Sequence, residues 1–77
     1  MMRVSGTIDD AINAMVKNGW MLLEKLGPRG NRDEWVIMQD VNGLLGLYSM
    51  MTGRTVDGNV ETVVMFEKQV SRQGRLF

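Results

Sequence analysis

Apolar positions along the chain follow two different periods, and the change comes at Gly19. Before it, Ile8, Ala11, Ile12 and Met15 recur at i, i+3, i+4 and i+7, the spacing of one apolar stripe on a helix. Thr7 stands where an N-cap is needed. Asp9 and Asp10 put negative charge beside the free N–H groups of the first turn, and Asp10 is placed to close a short capping box. Lys17 falls in the last turn, and Asn18-Gly19 offers a left-handed stop. The pattern predicts an amphipathic helix from Ile8 to about Lys17.

After Gly19 the period shortens to two. Trp20 to Leu26 reads as a strand, with Trp20, Leu22 and Leu26 on one face and Met21, Leu23 and Lys25 on the other. Gly27-Pro28-Arg29-Gly30-Asn31-Arg32 is the most loop-like stretch. Glu34 to Asp40 is a second strand, Trp35 and Ile37 facing one way and Val36 and Met38 the other. Asn42-Gly43 is a hairpin signal of the two-residue type I′ kind, and Asp57-Gly58 repeats it. Val60, Thr62, Val64 and Phe66 then alternate along a last strand, where β-branched Thr62, Val63 and Val64 suit a pleated surface. Leu44 to Met51 is two-valued, because Leu44, Leu47, Tyr48 and Met51 also fit helical spacing. Gly43 and Gly46 would each cost about 1 kcal/mol inside a helix, and the flanking turn and strand favour β.

These elements predict an α+β fold: one N-terminal helix packed on an antiparallel meander of about four strands, with Val4 and its neighbours as a candidate N-terminal edge strand. Residues 1–70 read as a single domain and 71–77 as a basic C-terminal tail. Several strands are apolar on both faces, Met21 and Leu23 lying opposite Trp20 and Leu22. One helix covers one face only, so the second needs a partner, and another copy of the chain is the simplest candidate.

Composition narrows the chemistry. The chain has 77 residues, no Cys and no His, which removes thiolate and imidazole catalysis, disulfides and the usual zinc ligands. No cofactor and no metal is expected. Nine basic and nine acidic side chains cancel, yet they are segregated. Asp33, Glu34, Asp40, Asp57, Glu61 and Glu67 face Arg54 alone over residues 33–67, whereas Lys68, Arg72 and Arg75 make the end basic. The six carboxylates match no EF-hand spacing and read as solvated strand and turn residues. No run approaches the roughly 20 apolar residues that span a bilayer, and Met1 to Gly6 lacks the apolar stretch of a secretory signal. The expected location is the cytoplasm, of a cell or of an infected host.

Candidate contact residues fall into two sets. Arg29 and Arg32 flank a glycine-rich loop that lacks the Lys-Ser/Thr ending of a P-loop; with Arg72 and Arg75 they are the cations placed to meet a partner or an anion. Trp20, Trp35 and Tyr48 are candidate aromatic anchors, Met21 and Met38 candidate adaptable contacts, and Phe77, beside Leu76, a candidate docking residue at the end of the tail. The aromatics sit among Leu, Ile and Met rather than among Lys and Arg, and the sheet segment is acidic, so nucleic acid is an unfavoured partner.

The leading expectation is therefore a small non-enzymatic protein-binding module acting through a sheet or charged-loop surface, as a homodimer. Phage and mobile-element proteins that retune a host complex are the setting that such size and chemistry suggest. The alternative is a small-molecule module in which Trp20, Trp35 and Tyr48 line a pocket and Arg29 or Arg32 holds an anionic group. Weak nucleic-acid binding is third. Carboxylate catalysis at a dimer cleft comes last.

Overall fold

A computed structural model of the chain describes residues 1–71. The order of elements is β1 (Met2–Ser5), α1 (Ile8–Lys17), β2 (Met21–Arg29), β3 (Arg32–Gln39), β4 (Leu45–Arg54) and β5 (Val60–Gln69). The five strands form one antiparallel sheet in the order β1-β5-β4-β3-β2. The α+β meander read from the sequence is thus present, with β1 as the N-terminal edge strand. The two-valued segment is a strand.

α1 carries the expected ends. Asp10 N–H donates to Thr7 Oγ1 at 3.4 Å and Thr7 N–H donates to Asp10 Oδ2 at 2.8 Å, a reciprocal capping box. At the other end Gly19 N–H donates to the Val16 carbonyl (3.1 Å) and Trp20 N–H to that of Met15 (3.0 Å). This is a Schellman closure with Gly19 at φ +98°. Ala11, Ile12 and Met15 then pack on Val36, Met38, Met50 and Val64, rimmed by Met2, Val4, Ile8, Trp20, Leu22 and Tyr48. Thr62 is buried in the same layer; its hydroxyl donates to the Gly6 carbonyl and pairs with Thr52 Oγ1, each at 2.9 Å.

Both predicted hairpins form, but with a different turn. Gly43 N–H bonds the Asp40 carbonyl and Asp40 N–H bonds that of Leu44; Thr55, Gly58 and Asn59 repeat the arrangement. Each loop therefore has three residues, and only its glycine has positive φ, +83° at Gly43 and +85° at Gly58. Asn42 and Asp57 stay at negative φ, so neither turn is type I′. A side chain decides the outcome: Asp40 Oδ1 accepts from Asn42 N–H (2.8 Å) and Leu44 N–H (2.9 Å), and Thr55 Oγ1 accepts from Asn59 N–H (3.1 Å).

The stretch from Gly27 to Arg32 is also more ordered than expected. β2 runs on to Arg29, and only Gly30-Asn31 turns, with Gly30 at φ +63°. An edge strand tolerates Pro28, which lacks the N–H that a central strand would need. Register shifts between Leu22 and Glu24 and between Lys25 and Gly27 leave Leu23 and Leu26 without opposite residues. The first shift advances the side-chain phase by one. Lys25 consequently lies on the helix side with Leu22, where its ammonium meets Asp9 at 3.3 Å, and not on the face alternation assigned to it.

The face away from α1 has its own small cluster. Ile37, Leu47 and Val70 are buried together, flanked by Trp35 and Leu45, and Val70 N–H bonds the Leu45 carbonyl at 3.0 Å. The chain leaving β5 thus covers part of the second face.

Candidate binding site

Beside that cluster the β2–β3 hairpin curls over the sheet. β3 pairs with β4 only from Glu34 onward, so residues 32–33 are released from that ladder, and the bulges of β2 supply the bend. Four fastenings hold the hairpin, one of them Thr52 N–H of β4 donating to Asp33 Oδ2 at 2.8 Å. Glu34 Oε1 accepts from Gly27 N–H at 2.6 Å, engaging an amide at the bulge. Trp35 Nε1–H donates to the Arg29 carbonyl at 3.0 Å. Arg32 Nε–H donates to Ser49 Oγ at 3.2 Å, and Ser49 O–H donates to Glu67 Oε2 at 2.5 Å. Arg32 Nε and Glu67 Oε2 are 4.0 Å apart, so the hydroxyl joins a cation to an anion that do not closely touch.

Between hairpin and sheet lies an open cleft of about 750 Å³. The hairpin from Leu26 to Arg32 forms one wall, and Trp35, Leu47, Glu67 and Lys68 complete the lining. A bulge in β5 sets the last two. Leu47 pairs with Lys68 and Tyr48 with Phe66, leaving Glu67 as the extra residue, so the alternation that puts Phe66 on the helix side is broken. Lys68 and Glu67 both line the cleft as a result.

The residues singled out from sequence are divided by this geometry. Arg29, Arg32 and Trp35 converge on the cleft. Trp20 and Tyr48 lie on the opposite side with α1, where Trp20 Nε1–H donates to Tyr48 Oη at 3.4 Å and Phe66 meets the Tyr48 ring edge-on at 5.5 Å. Met38 is fully buried under α1 and belongs to the core. Met21 is exposed at the start of β2. Arg72, Arg75 and Phe77 lie outside the described residues.

Ser49, Glu67 and Lys68 escaped the sequence reading as contact residues. One signal for Ser49 was present: it is a polar residue within the apolar strand Leu44 to Met51. Glu67 and Lys68 had none, since alternation sends them to opposite faces and only the bulge reunites them. Among the described residues no three carboxylates cluster so as to hold a metal ion, and no helix is long and apolar enough to cross a membrane.

No family model, curated protein or solved structure matches the chain. The chemistry of the cleft therefore carries the functional reading. It offers one indole, several aliphatic surfaces, three cations and one carboxylate, the last already bonded by Ser49. Such a set suits contact by area and charge rather than by a reactive group.

Proposed function

We propose that the chain is a non-enzymatic protein-binding module and that the cleft-bearing face of the sheet is its contact surface. The observation that carries this reading is the open cleft itself, apolar along Leu26, Trp35 and Leu47 and rimmed by Arg29 and Lys68. Tryptophan and arginine at one concave, accessible site are the residue types that anchor protein contacts. The test is a pull-down from the native cell or host with a tagged chain, at low and moderate salt. A stoichiometric protein partner should be retained by Val56→Asp, at the far hairpin tip, and lost with Leu26→Asp, whose residue is 41% exposed in the cleft wall. Recovery of nucleic acid alone, or a partner indifferent to Leu26→Asp, overturns the reading.

Self-association belongs to the same proposal. β1 pairs only with Glu61–Val64 of β5, so the outer edge of β5 from Met65 to Gln69 has no strand partner among the described residues. Phe66 beside it is 59% exposed. A second copy lying antiparallel along that stretch would satisfy its backbone groups. Light scattering decides: a dimer supports this element, and a monomer at high concentration removes it.

A small anionic or aromatic ligand is the second reading. The cleft volume of about 750 Å³ falls in the range of ligand pockets, roughly 300–1,000 Å³, and Trp35, Arg29 and Arg32 all line it. The cleft is open on one side, which favours a macromolecular segment over an enclosed small molecule.

A further inference from the structure

Charge in the cleft is one-sided. Its lining holds Arg29, Arg32 and Lys68 against Glu67 alone, and Glu67 already accepts from the Ser49 hydroxyl beside Arg32. Three cationic side chains elsewhere are engaged: Arg3 with Glu61, Lys25 with Asp9, Arg54 with the Gly58 carbonyl. Among the described residues the cationic side chains that meet no acceptor are Lys17, Arg29 and Lys68, and two of these three rim the cleft. Arg32 is anchored at Nε, but its terminal nitrogens meet only neutral acceptors at long range, Asn31 Oδ1 at 3.4 Å and Met65 Sδ at 4.0 Å. A guanidinium held from behind in this way is pre-oriented for a carboxylate.

We infer that the occupant of the cleft is an extended acidic segment of a partner protein. Its carboxylates meet Arg29, Lys68 and the outer edge of Arg32, and its apolar side chains rest on Leu26, Trp35 and Leu47. This rests on the protein-binding reading above and adds the chemistry of the partner. Nucleic acid fits less well. The cleft has one aromatic ring, pinned by its bond to the Arg29 carbonyl, where a single strand needs successive stacking platforms.

The test uses the full chain and fluorescence anisotropy with three labelled probes: a nine-residue peptide of alternating Glu and Leu, the same peptide with Lys for Glu, and a ten-residue oligo-dT. The acidic peptide should bind, and the lysine peptide and oligo-dT should bind at least tenfold more weakly. The double variant Arg29→Gln/Lys68→Gln should weaken the acidic peptide by roughly five- to tenfold, as loss of two partly exposed charge contacts implies. Its circular dichroism should match that of the parent, because neither side chain has a partner to lose. Equal binding of the lysine peptide, tighter binding of oligo-dT, no binding of the acidic peptide, or an unchanged affinity in the double variant overturns the inference. If the acidic peptide fails while Leu26→Asp still releases a protein partner in the pull-down, the cleft binds protein by other chemistry. If Leu26→Asp releases nothing, the protein-binding reading itself falls.

Discussion

Replacing Ser49 by alanine removes one oxygen and two hydrogen bonds. Ser49 is fully buried, so water cannot take the place of its hydroxyl without opening the sheet face. The lost bonds are those from Arg32 Nε–H (3.2 Å) and to Glu67 Oε2 (2.5 Å), both with ionised partners. Bonds of that kind contribute about 1.5–3 kcal/mol each when the partner is stranded. Here the side chains of Arg32 and Glu67 remain 21% and 28% exposed and regain part of their hydration. We therefore expect a loss of about 2 kcal/mol rather than the full sum, and a fall in Tm of roughly 10 °C for a domain of this size. Urea unfolding followed by circular dichroism measures it. A cycle with Glu67→Gln sharpens the test. The amide introduced by Glu67→Gln keeps an acceptor for the hydroxyl, so that change should cost less than Ser49→Ala, with a coupling energy of about 1 kcal/mol between the two sites. Loss of less than about 0.5 kcal/mol in Ser49→Ala, or additive single changes in the cycle, would show that the hydroxyl does not fasten the hairpin to the sheet.

Three further changes probe the fold beneath the cleft. Met50→Ala, at a fully buried position under α1, should destabilise by about 2–5 kcal/mol in denaturant titration, because the void cannot be refilled from a single short helix. Thr7→Ala should cost about 1 kcal/mol by removing the acceptor for Asp10 N–H, read as reduced stability in the same titration. Gly19→Ala drives a Cβ into Val41 Cγ1 on a backbone at φ +98°. It should cost at least about 1–2 kcal/mol for the backbone alone, and a Val41→Ala background should relieve the clash but not that remainder.

Local signals carried much of the fold. Helix α1 has the bounds that its apolar stripe and caps predict, since capping and the Schellman stop involve residues three to five apart. Val60 to Phe66 faces α1 at alternate positions as its period predicts. The β3–β4 and β4–β5 hairpins sit where an Asn-Gly and an Asp-Gly pair mark them, and the β2–β3 hairpin turns at Gly30-Asn31 within the stretch read as a loop. The turn type was less legible, because Asp40 and Thr55, one residue outside the expected four-residue turns, bond amides within or just after the loop, and each loop has three residues.

The site was legible in part. Arg29 and Arg32 stood out because two arginines flank a glycine-rich loop, and Trp35 because tryptophan is a residue type that anchors contacts, a reason that singled out Trp20 and Tyr48 equally. Alternation could not assign the remaining lining, for each bulge moves the following side chains to the other face. Whether a strand bulges depends on a partner strand far away in sequence, such as β4 holding Leu47 opposite Lys68.

Residue order alone thus determined one capped helix, the positions of the β3–β4 and β4–β5 hairpins, the absence of thiol and imidazole chemistry, and the segregation of charge. Tertiary structure decided which faces the aromatics occupy, separating Trp35 from Trp20 and Tyr48, and how Val70 covers part of the second face. It also turned three scattered residues, Arg32, Ser49 and Glu67, into one bonded chain. The physical reason is range: caps and turns close within five residues, whereas bulges and the curl of the β2–β3 hairpin are settled only when distant strands compete for the same backbone groups.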